Sequence, residues 1–363
     1  VCNDRQLGQN ARMAAPTINP EPSGETESAP IVDALRRPLH DLRISLLDQC
    51  NFRCPYCMPE SEFHEDYQFL TRSQRLTHDE ILKVARVATS LGVSKLRLTG
   101  GEPLLDKKLP ALVEGLATLE GVEDLALTTN GMLLAPVAQT LVDAGLQRVT
   151  ISLDSLDAEV FRKMSGGRGD LATVMEAIDV AAAAGLAPIK INVVVERAVN
   201  DHTVLDLLDH FRGTGHIVRL IEYMDVGNSN HWSPDEVVPS AEWVARIEQR
   251  WPLDRLPSDN PAETARRYEY VDGLGEIGLI SSITQPFCGG CTRGRVTADG
   301  VFYTCLFSDR GTQLTPLIRE GDDPRVLADR IAGVWAERGD RYSELRNEPG
   351  SKRPKIEMYR LGG

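Results

Sequence analysis

Three cysteines within eight residues, Cys50-Asn-Phe-Arg-Cys54-Pro-Tyr-Cys57, stand directly after the apolar segment Leu42–Leu47. Thiolates at this Cys-x3-Cys-x2-Cys spacing on a loop can grip three irons of a 4Fe–4S cubane. No fourth cysteine lies nearby, so one iron stays open to a small molecule. A disulfide between cysteines this close is strained, and zinc knuckles favour paired Cys-x2-Cys units. A second group, Cys288-Gly-Gly-Cys291 with Cys305, again offers three ligands and no fourth. Zinc would want another Cys or His, and the seven histidines stop at His231, so a second open-iron cluster fits the count. A zinc site with a distant fourth ligand stays open on spacing alone. Cys2 stands apart and is assigned no role.

Basic residues form the next anomaly. Arg43, Lys95, Arg97, Lys190 and Arg219 fall on expected strands of a chain whose net charge is −13, and Arg293 and Arg295 flank the second cysteine group at alternate positions. Charges on buried strands are costly unless paired, so fixed cations converging on one cavity point to a polyanion such as a triphosphate. The competing reading pairs them with Glu102, Asp154 and Glu222, but seven cations outnumber three acids. Thr99-Gly100-Gly101-Glu102-Pro103 closes the second strand; its glycines allow close backbone approach and its carboxylate can receive an ammonium group.

The elements that must position these groups follow from periodicity. Short apolar segments alternate with helical ones: strand 41–47, helix 78–91, strand 95–99, helix 109–119, strand 124–129, helix 136–144, strand 148–153, helix 171–184, strand 188–195, helix 203–212 and strand 217–223. Six strands alternating with helices make a parallel sheet with right-handed crossovers. Within the strands one face is apolar and the other polar, as in Leu42, Ile44 and Leu46 against Arg43 and Ser45. A parallel strand covered on both faces would be apolar throughout. The polar side therefore lines a cavity, and the expected fold is a partial (β/α)6, TIM-like barrel. Residues 240–251 continue its helical layer, with Ser240 as cap. Segments 265–272, 275–283 and 294–306 read as antiparallel strands, the last pair joined through the Cys-Gly-Gly-Cys loop, with a turn at Asp299-Gly300. A helix at about 325–338 follows. The expected division is a disordered, Pro- and Ser-rich leader over 1–38, the partial barrel over 39–251, and a smaller C-terminal antiparallel β lobe over 252–363 that covers the barrel's open side.

The acidic balance argues against nucleic-acid or membrane partners. No apolar stretch is long enough to span a membrane, and the cysteine pattern without a secretory signal points to the cytoplasm.

Taken together, the cysteine loop and Gly-Gly-Glu-Pro resemble the signature of the radical S-adenosylmethionine (radical SAM) superfamily. The full set is similar to the GTP 3′,8-cyclase family of molybdenum cofactor biosynthesis, from about Leu42 to Gly363. The matching pieces include Lys95-Leu-Arg97-Leu-Thr-Gly-Gly-Glu-Pro, Thr128-Thr-Asn-Gly, Ile151-Ser-Leu-Asp, Lys190-Ile-Asn-Val, Arg219-Leu-Ile-Glu-Tyr-Met224, Cys288–Arg295 with Cys305, and Gly362-Gly363. Leu47, Gln49, Asp106 and Thr292 depart from the family's commoner residues and leave the cysteines intact.

The resemblance implies two 4Fe–4S clusters, SAM contacts at Tyr56, Gly100, Gly101, Glu102, Ser152 and Met224, and GTP contacts at Arg43, Lys95, Arg97, Thr128, Lys190, Arg219, Thr292, Arg293, Gly294 and Arg295. It further implies that SAM cleaved at the first cluster yields a 5′-deoxyadenosyl radical that takes the ribose 3′ hydrogen of GTP. The sugar radical then attacks guanine C8 while the second cluster holds the base. Implied partners are a low-potential electron donor and the cyclic pyranopterin monophosphate synthase as next enzyme; a homodimer is left open. Another radical SAM enzyme with an auxiliary cluster, such as a peptide-modifying maturase, is the nearer alternative, and a non-enzymatic zinc or electron-carrier protein the farther. Gly362 and Gly363 are expected to enter the cavity and align the nucleotide, without contributing to either cluster.

Overall fold

Alternation of apolar and polar residues along each strand decides which face is buried, and the architecture follows from it. The structure is a computed structural model; it describes residues 30–258, 260–321, 323–348 and 354–362. Six parallel strands run β1 (Asp41–Ser45), β2 (Lys95–Thr99), β3 (Asp124–Thr129), β4 (Arg148–Ser152), β5 (Lys190–Val195) and β6 (Ile217–Glu222), paired in that order. Leu42, Ile44, Leu96, Leu98, Leu125, Leu127, Val149, Ile151, Ile191 and Val193 face the helices and are almost fully buried in one continuous core. Opposite them, Arg43 registers with Arg97 across β1 and β2, and Asn192 with Arg219 across β5 and β6. Matched register turns a sequence alternation into a continuous polar surface.

The crossover helices start where side chains can satisfy their free N–H groups. Thr77 and Glu80 form a reciprocal cap for the helix His78–Ser90, and Asp170 caps Leu171–Ala181. A short helix, Ala158–Met164, capped by Asp157, was not foreseen; it occupies the loop after β4.

The C-terminal strands are arranged differently from the expectation. β7 (Leu253–Arg255), β8 (Arg266–Tyr270) and β9 (Glu276–Ile280) form an antiparallel ribbon, and β9 adds parallel to β6. β10 (Arg293–Val296), β11 (Val301–Tyr303) and β12 (Thr312–Gln313) form another, and β10 adds parallel to β1. Thus 275–283 and 294–306 are not neighbours across the Cys-Gly-Gly-Cys loop; they sit on opposite edges. The physical reason is that a six-strand parallel sheet leaves unpaired N–H and C=O groups on both edges, and each ribbon saturates one. The outcome is a single mixed sheet of twelve strands, with β7 and β12 as its ends, so it does not close into a barrel.

Of the leader expected over 1–38, residues 1–29 lie outside the described residues. Residues 30–38 belong to the fold: Val32 bridges Pro38, and the side chains of Asp33 and Arg37 are buried.

Candidate functional site

Both cysteine sets lie on loops fixed by strand ends. The first follows β1. Here the thiols act on one another's charge: burial leads in pushing Cys54 up, and Cys50 and Cys57 add to it. Burial also holds Cys50 at about 12, with Glu102 adding to it, against donors from Phe52 N–H at 3.4 Å and Asn130 Nδ2 at 3.9 Å. Cys57 is raised in the same way. Three half-buried thiols that resist ionisation, yet already receive N–H donors at Cys50 and Cys57 and the Tyr56 hydroxyl at Cys54, fit a group that brings its own positive charge, as cluster irons do. Cys288, Cys291 and Cys305 form the second set after β9 and beside β11. Burial raises Cys305 to about 12. Burial also works to raise Cys291, but Arg293 and Arg338 overcome it and leave that thiol at about 6. Among the described residues no three His, Cys, Asp or Glu groups converge to hold a single metal ion. A cubane makes no such demand, because it spreads three cysteines over three irons.

A cavity of about 790 Å3 occupies the polar face of the sheet. Arg43, Lys95, Arg97, Thr128, Lys190, Arg219, Met224, Arg293 and Arg295 line it, together with all three cysteines of the second set. The cations and cysteines among them are those that alternation and spacing single out, whereas Thr128 and Met224 come from the family resemblance. Thr292 and Gly294 are not in the lining: the Thr292 hydroxyl donates to Asp41 Oδ2 at 2.7 Å, and Gly294 packs against Leu39 and Phe302 on the apolar side. Period two explains Gly294, since Arg293 and Arg295 take the other face.

The acids expected to neutralise these cations do not do so. Glu102 is enclosed, accepting from Leu104 N–H at 3.0 Å, the Thr129 hydroxyl at 2.7 Å and Asn130 N–H at 2.8 Å. Asp154 accepts from the Tyr56 hydroxyl at 2.8 Å, and Glu222 from Ser240, Ile283 and Thr284. Of the acids in or beside the lining, Glu263 and Glu276 pair with Arg267, Asp41 lies 3.8 Å from Lys95, and Asp124 is shared by Lys95 at 3.2 Å and Arg148. Among the described residues, Arg43, Arg97, Lys190, Arg219, Arg293 and Arg295 form no ion pair. Instead Arg97 donates to Thr128 and Thr150 at 3.1 and 3.2 Å, and Arg219 to Asn192 at 2.9 Å.

Crowded cations weaken one another's protonation. Burial, then Arg219, Arg148, Arg97 and Lys95, bring Lys190 down to about 8. Burial with Arg97 and Arg148 brings Arg219 to about 9, and burial with Arg293 brings Arg295 to about 10. The field is that of a site built for a multiply charged anion. Arg148 was missed from sequence because it opens β4 beside a ready partner, Asp124.

The first cysteine set does not line this cavity but adjoins it. Met358 lines the cavity and packs on the Tyr56, Met164 and Tyr223 cluster, which Cys54 and Cys57 also touch. Of the residues expected to hold SAM, Met224 reaches the cavity, Tyr56 and Glu102 spend their polar atoms on protein partners, and Ser152 sits half-buried opposite Asn192, outside the lining. Gly100 and Gly101 pack on the backbone of Leu47 and Gln49. A Cβ on Gly101 would meet Gln49 O at 2.1 Å, so only glycine lets this loop lie against the first cysteine loop.

The chain's last described residues enter the same space. Asp225 accepts from Tyr342, Arg346 and Lys355, with the Lys355 ammonium at 2.6 Å, and Asn228 N–H donates to Glu357 at 2.9 Å. Arg360 is drawn off to Asp299 at 2.7 Å. Beyond it, Arg295 donates to the carbonyls of Leu361 and Gly362 at 3.0 and 2.9 Å, and Arg43 to Gly362 at 3.3 Å. Gly362 has φ +67°, and a Cβ there would fall 1.8 Å from Thr99 Oγ1. Gly363 lies outside the described residues. The tail also touches the first cysteine set, through Tyr359, a residue for which the sequence carries no expectation. Tyr359 packs with Met58 and Phe63, donates or accepts at Tyr67 at 2.9 Å, and its backbone hydrogen-bonds the Cys57 thiol.

These features are shared with known proteins. Residues 44–211 match the model of the Radical SAM superfamily, and residues 216–344 that of Molybdenum Cofactor Synthesis C. The crystal structure of methylornithine synthase has a similar fold, with a TM-score of 0.50 at 14% identity over 85% of this chain and 86% of that one. Fold and cysteine loop thus define a radical SAM protein. GTP 3′,8-cyclase of Xanthomonas campestris pv. campestris (strain 8004) is 50% identical over 93% of this chain and 99% of its own. The same enzyme from Acidothermus cellulolyticus is 52% identical over 87% of this chain and 89% of its own, and that from Staphylococcus aureus 41% over 92% and 99%. The chain belongs to the GTP 3′,8-cyclase family.

Proposed function

We propose that the chain is the GTP 3′,8-cyclase of its source, converting GTP to (8S)-3′,8-cyclo-7,8-dihydroguanosine 5′-triphosphate in the first step of molybdenum cofactor biosynthesis. The observation that carries this reading is the group of six cations, Arg43, Arg97, Lys190, Arg219, Arg293 and Arg295, without acidic partners among the described residues and facing one cavity beside Cys288, Cys291 and Cys305. A triphosphate neutralises that field, and its guanine can then lie toward the second cysteine set.

When bound, a 4Fe–4S cluster at Cys50, Cys54 and Cys57 supplies reductive cleavage of SAM, and one at Cys288, Cys291 and Cys305 supplies an open iron for the base. The chain's own residues do the remaining work. Lys190, Arg97 and Arg219 fix the phosphates. Gly101 keeps the strand-end loop against the first cysteine loop, and Met224 with Met358 forms the apolar wall between cavity and SAM. Seating the tail, whose Gly362 carbonyl accepts from the cavity-lining Arg43 and Arg295, orients the nucleotide and excludes water. The second cluster, a low-potential electron donor, delivery to the cyclic pyranopterin monophosphate synthase and a cytoplasmic location belong to the same proposal. Among the described residues no helix is long and apolar enough to cross a membrane.

The test is anaerobic reconstitution and incubation with SAM, dithionite and GTP, followed by mass spectrometry. The expected product is isobaric with GTP, elutes separately, and appears with 5′-deoxyadenosine. If 5′-deoxyadenosine forms while GTP is recovered unchanged, the cyclase reading is refuted.

A further inference from the structure

We propose that Asp33 is the positioning residue of the second cysteine set, acting through Arg37 and Arg338. The inference rests on the reading of Cys288, Cys291 and Cys305 as ligands of a cluster.

The Asp33 side chain has no exposure, and those of Arg37 and Arg338 have 2% and 1%. Its Oδ1 accepts from the N–H groups of Leu35 and Arg37, both at 2.9 Å, which closes a tight turn. Its Oδ2 accepts from Arg37 Nε at 2.6 Å and Arg338 Nη1 at 3.0 Å. Each guanidinium, so oriented, reaches a cysteine backbone. Arg37 Nη1 donates to Cys288 O at 2.7 Å, and Arg338 Nη1 to Cys291 O at 2.7 Å. Arg338 Nε donates to Thr304 O at 3.0 Å, the residue before Cys305. One carboxylate therefore governs donors at or next to all three cysteines, from two segments some three hundred positions apart in sequence.

The surroundings lock this arrangement. Trp335 Nε1 donates to Arg37 O at 3.0 Å, and the Arg338 guanidinium lies 4.5 Å from the Trp335 ring. Arg37 also donates to Asp340 O at 2.9 Å. Its remaining nitrogen, Nη2, is buried and has no hydrogen-bond partner among the described residues. A buried guanidinium N–H without an acceptor is costly, and a neighbouring anionic group relieves it. The Asp340 carboxylate lies 3.6 Å from Arg338 Nε, so two carboxylates balance the two guanidiniums, which act on this set through directed N–H donors. Stability alone would favour apolar packing at such a triad, which makes its placement against the carbonyls of Cys288, Cys291 and Thr304 the informative fact. Outer partners of this kind set ligand orientation and retention of the bound group.

The test isolates the second site by replacing Cys50, Cys54 and Cys57 with Ala in the full chain and reconstituting with iron and sulfide. Release of iron to a chelator and the electron paramagnetic resonance spectrum of the reduced protein are then read with and without Asp33→Ala. The expected result is release faster by roughly 10–100-fold, the range for outer partners of metal ligands, with an altered spectrum. Arg338→Lys, which keeps charge but loses the fork, moves both readouts in the same direction and serves if Asp33→Ala does not fold. In the chain with its first three cysteines intact, Asp33→Ala keeps SAM cleavage. Unchanged release and spectrum overturn the proposal. Loss of SAM cleavage in Asp33→Ala also overturns it, because Asp33 would then support the whole fold. If the three-cysteine variant takes up no iron even with Asp33 present, the second-cluster reading itself fails, and that result is distinct from the other two.

Discussion

Lys190 makes nucleotide binding pH-dependent in a window that the structure specifies. In the unliganded cavity, burial and four neighbouring cations bring its ammonium to about 8. A bound polyanion favours the charged form, so the value in the complex lies higher. Below about pH 8 both free and bound protein carry the proton, and affinity is at its full value. As pH rises through 8, the free protein loses the proton that the complex retains, so binding must take one up and affinity falls. One pH unit above the free value, only about a tenth of the lysines are charged, so binding at pH 9 is about tenfold weaker than at pH 7. Arg219, at about 9, is half-titrated at that pH and adds a further loss of about twofold. The assay is isothermal titration of anaerobic protein with GTP, in pairs of buffers that differ in ionisation enthalpy. We expect near-zero proton uptake at pH 7 and about 1.4 protons at pH 9, close to one of them from Lys190 and about half from Arg219. Lys190→Arg stays charged and should lose this component; comparison with it cancels ionisation of the nucleotide. Equal pH slopes for the two proteins would falsify the reasoning.

Gly362→Ala should keep GTP binding and iron content while uncoupling SAM cleavage from cyclisation, because the added methyl collides with Thr99; coupled turnover at the parental rate would mean that tail seating is irrelevant. Cys54→Ala should lose about half the iron and all SAM cleavage, whereas Cys291→Ala should cleave SAM without forming cyclised nucleotide; total iron loss from either single variant would contradict independent sites. Asp225→Ala removes the acceptor shared by Tyr342, Arg346 and Lys355. It should weaken tail seating by roughly 1–3 kcal/mol, the range for hydrogen bonds to a charged group, seen as faster proteolysis after Lys355. An unchanged cleavage rate there would assign the latch to other contacts.

The parallel strands and the cavity's cations were legible because both follow a period of two, and period two survives any tertiary arrangement. Arg43, Arg97 and Arg219 face inward for the same reason that Leu42, Leu96 and Leu220 do not. The competing pairing of these cations with acids fails because carboxylates next to strand ends, such as Glu102 and Asp154, find backbone N–H groups and hydroxyls closer than any arginine. The sheet's edges were also hidden. Segments 276–280 and 293–296 are strands by composition, but which edge each joins depends on contacts with β6 and β1 that leave no local trace. Asp33 with Arg338 is the extreme case, a bond between residues that no motif connects. Tyr359 is similar: apolar residues in a charged tail announce docking without saying that the dock is the Cys57 loop.

The placement of β10 against β1 has a bearing on how the protein is born. These partners are separated by about 250 residues, so on the ribosome the first strand emerges long before the strand that covers its edge. Contacts so distant close slowly, and an uncovered edge is a template for wrong pairing in the interval. The Cys50–Cys57 loop leaves the ribosome with that open edge, whereas the second cysteine set arrives on the segment that closes it. The order of synthesis therefore presents the first cysteine set in a partly assembled chain and the second only as assembly finishes. Chaperones that shield nascent sheets, and the machinery that delivers clusters, would act on this chain in the same interval.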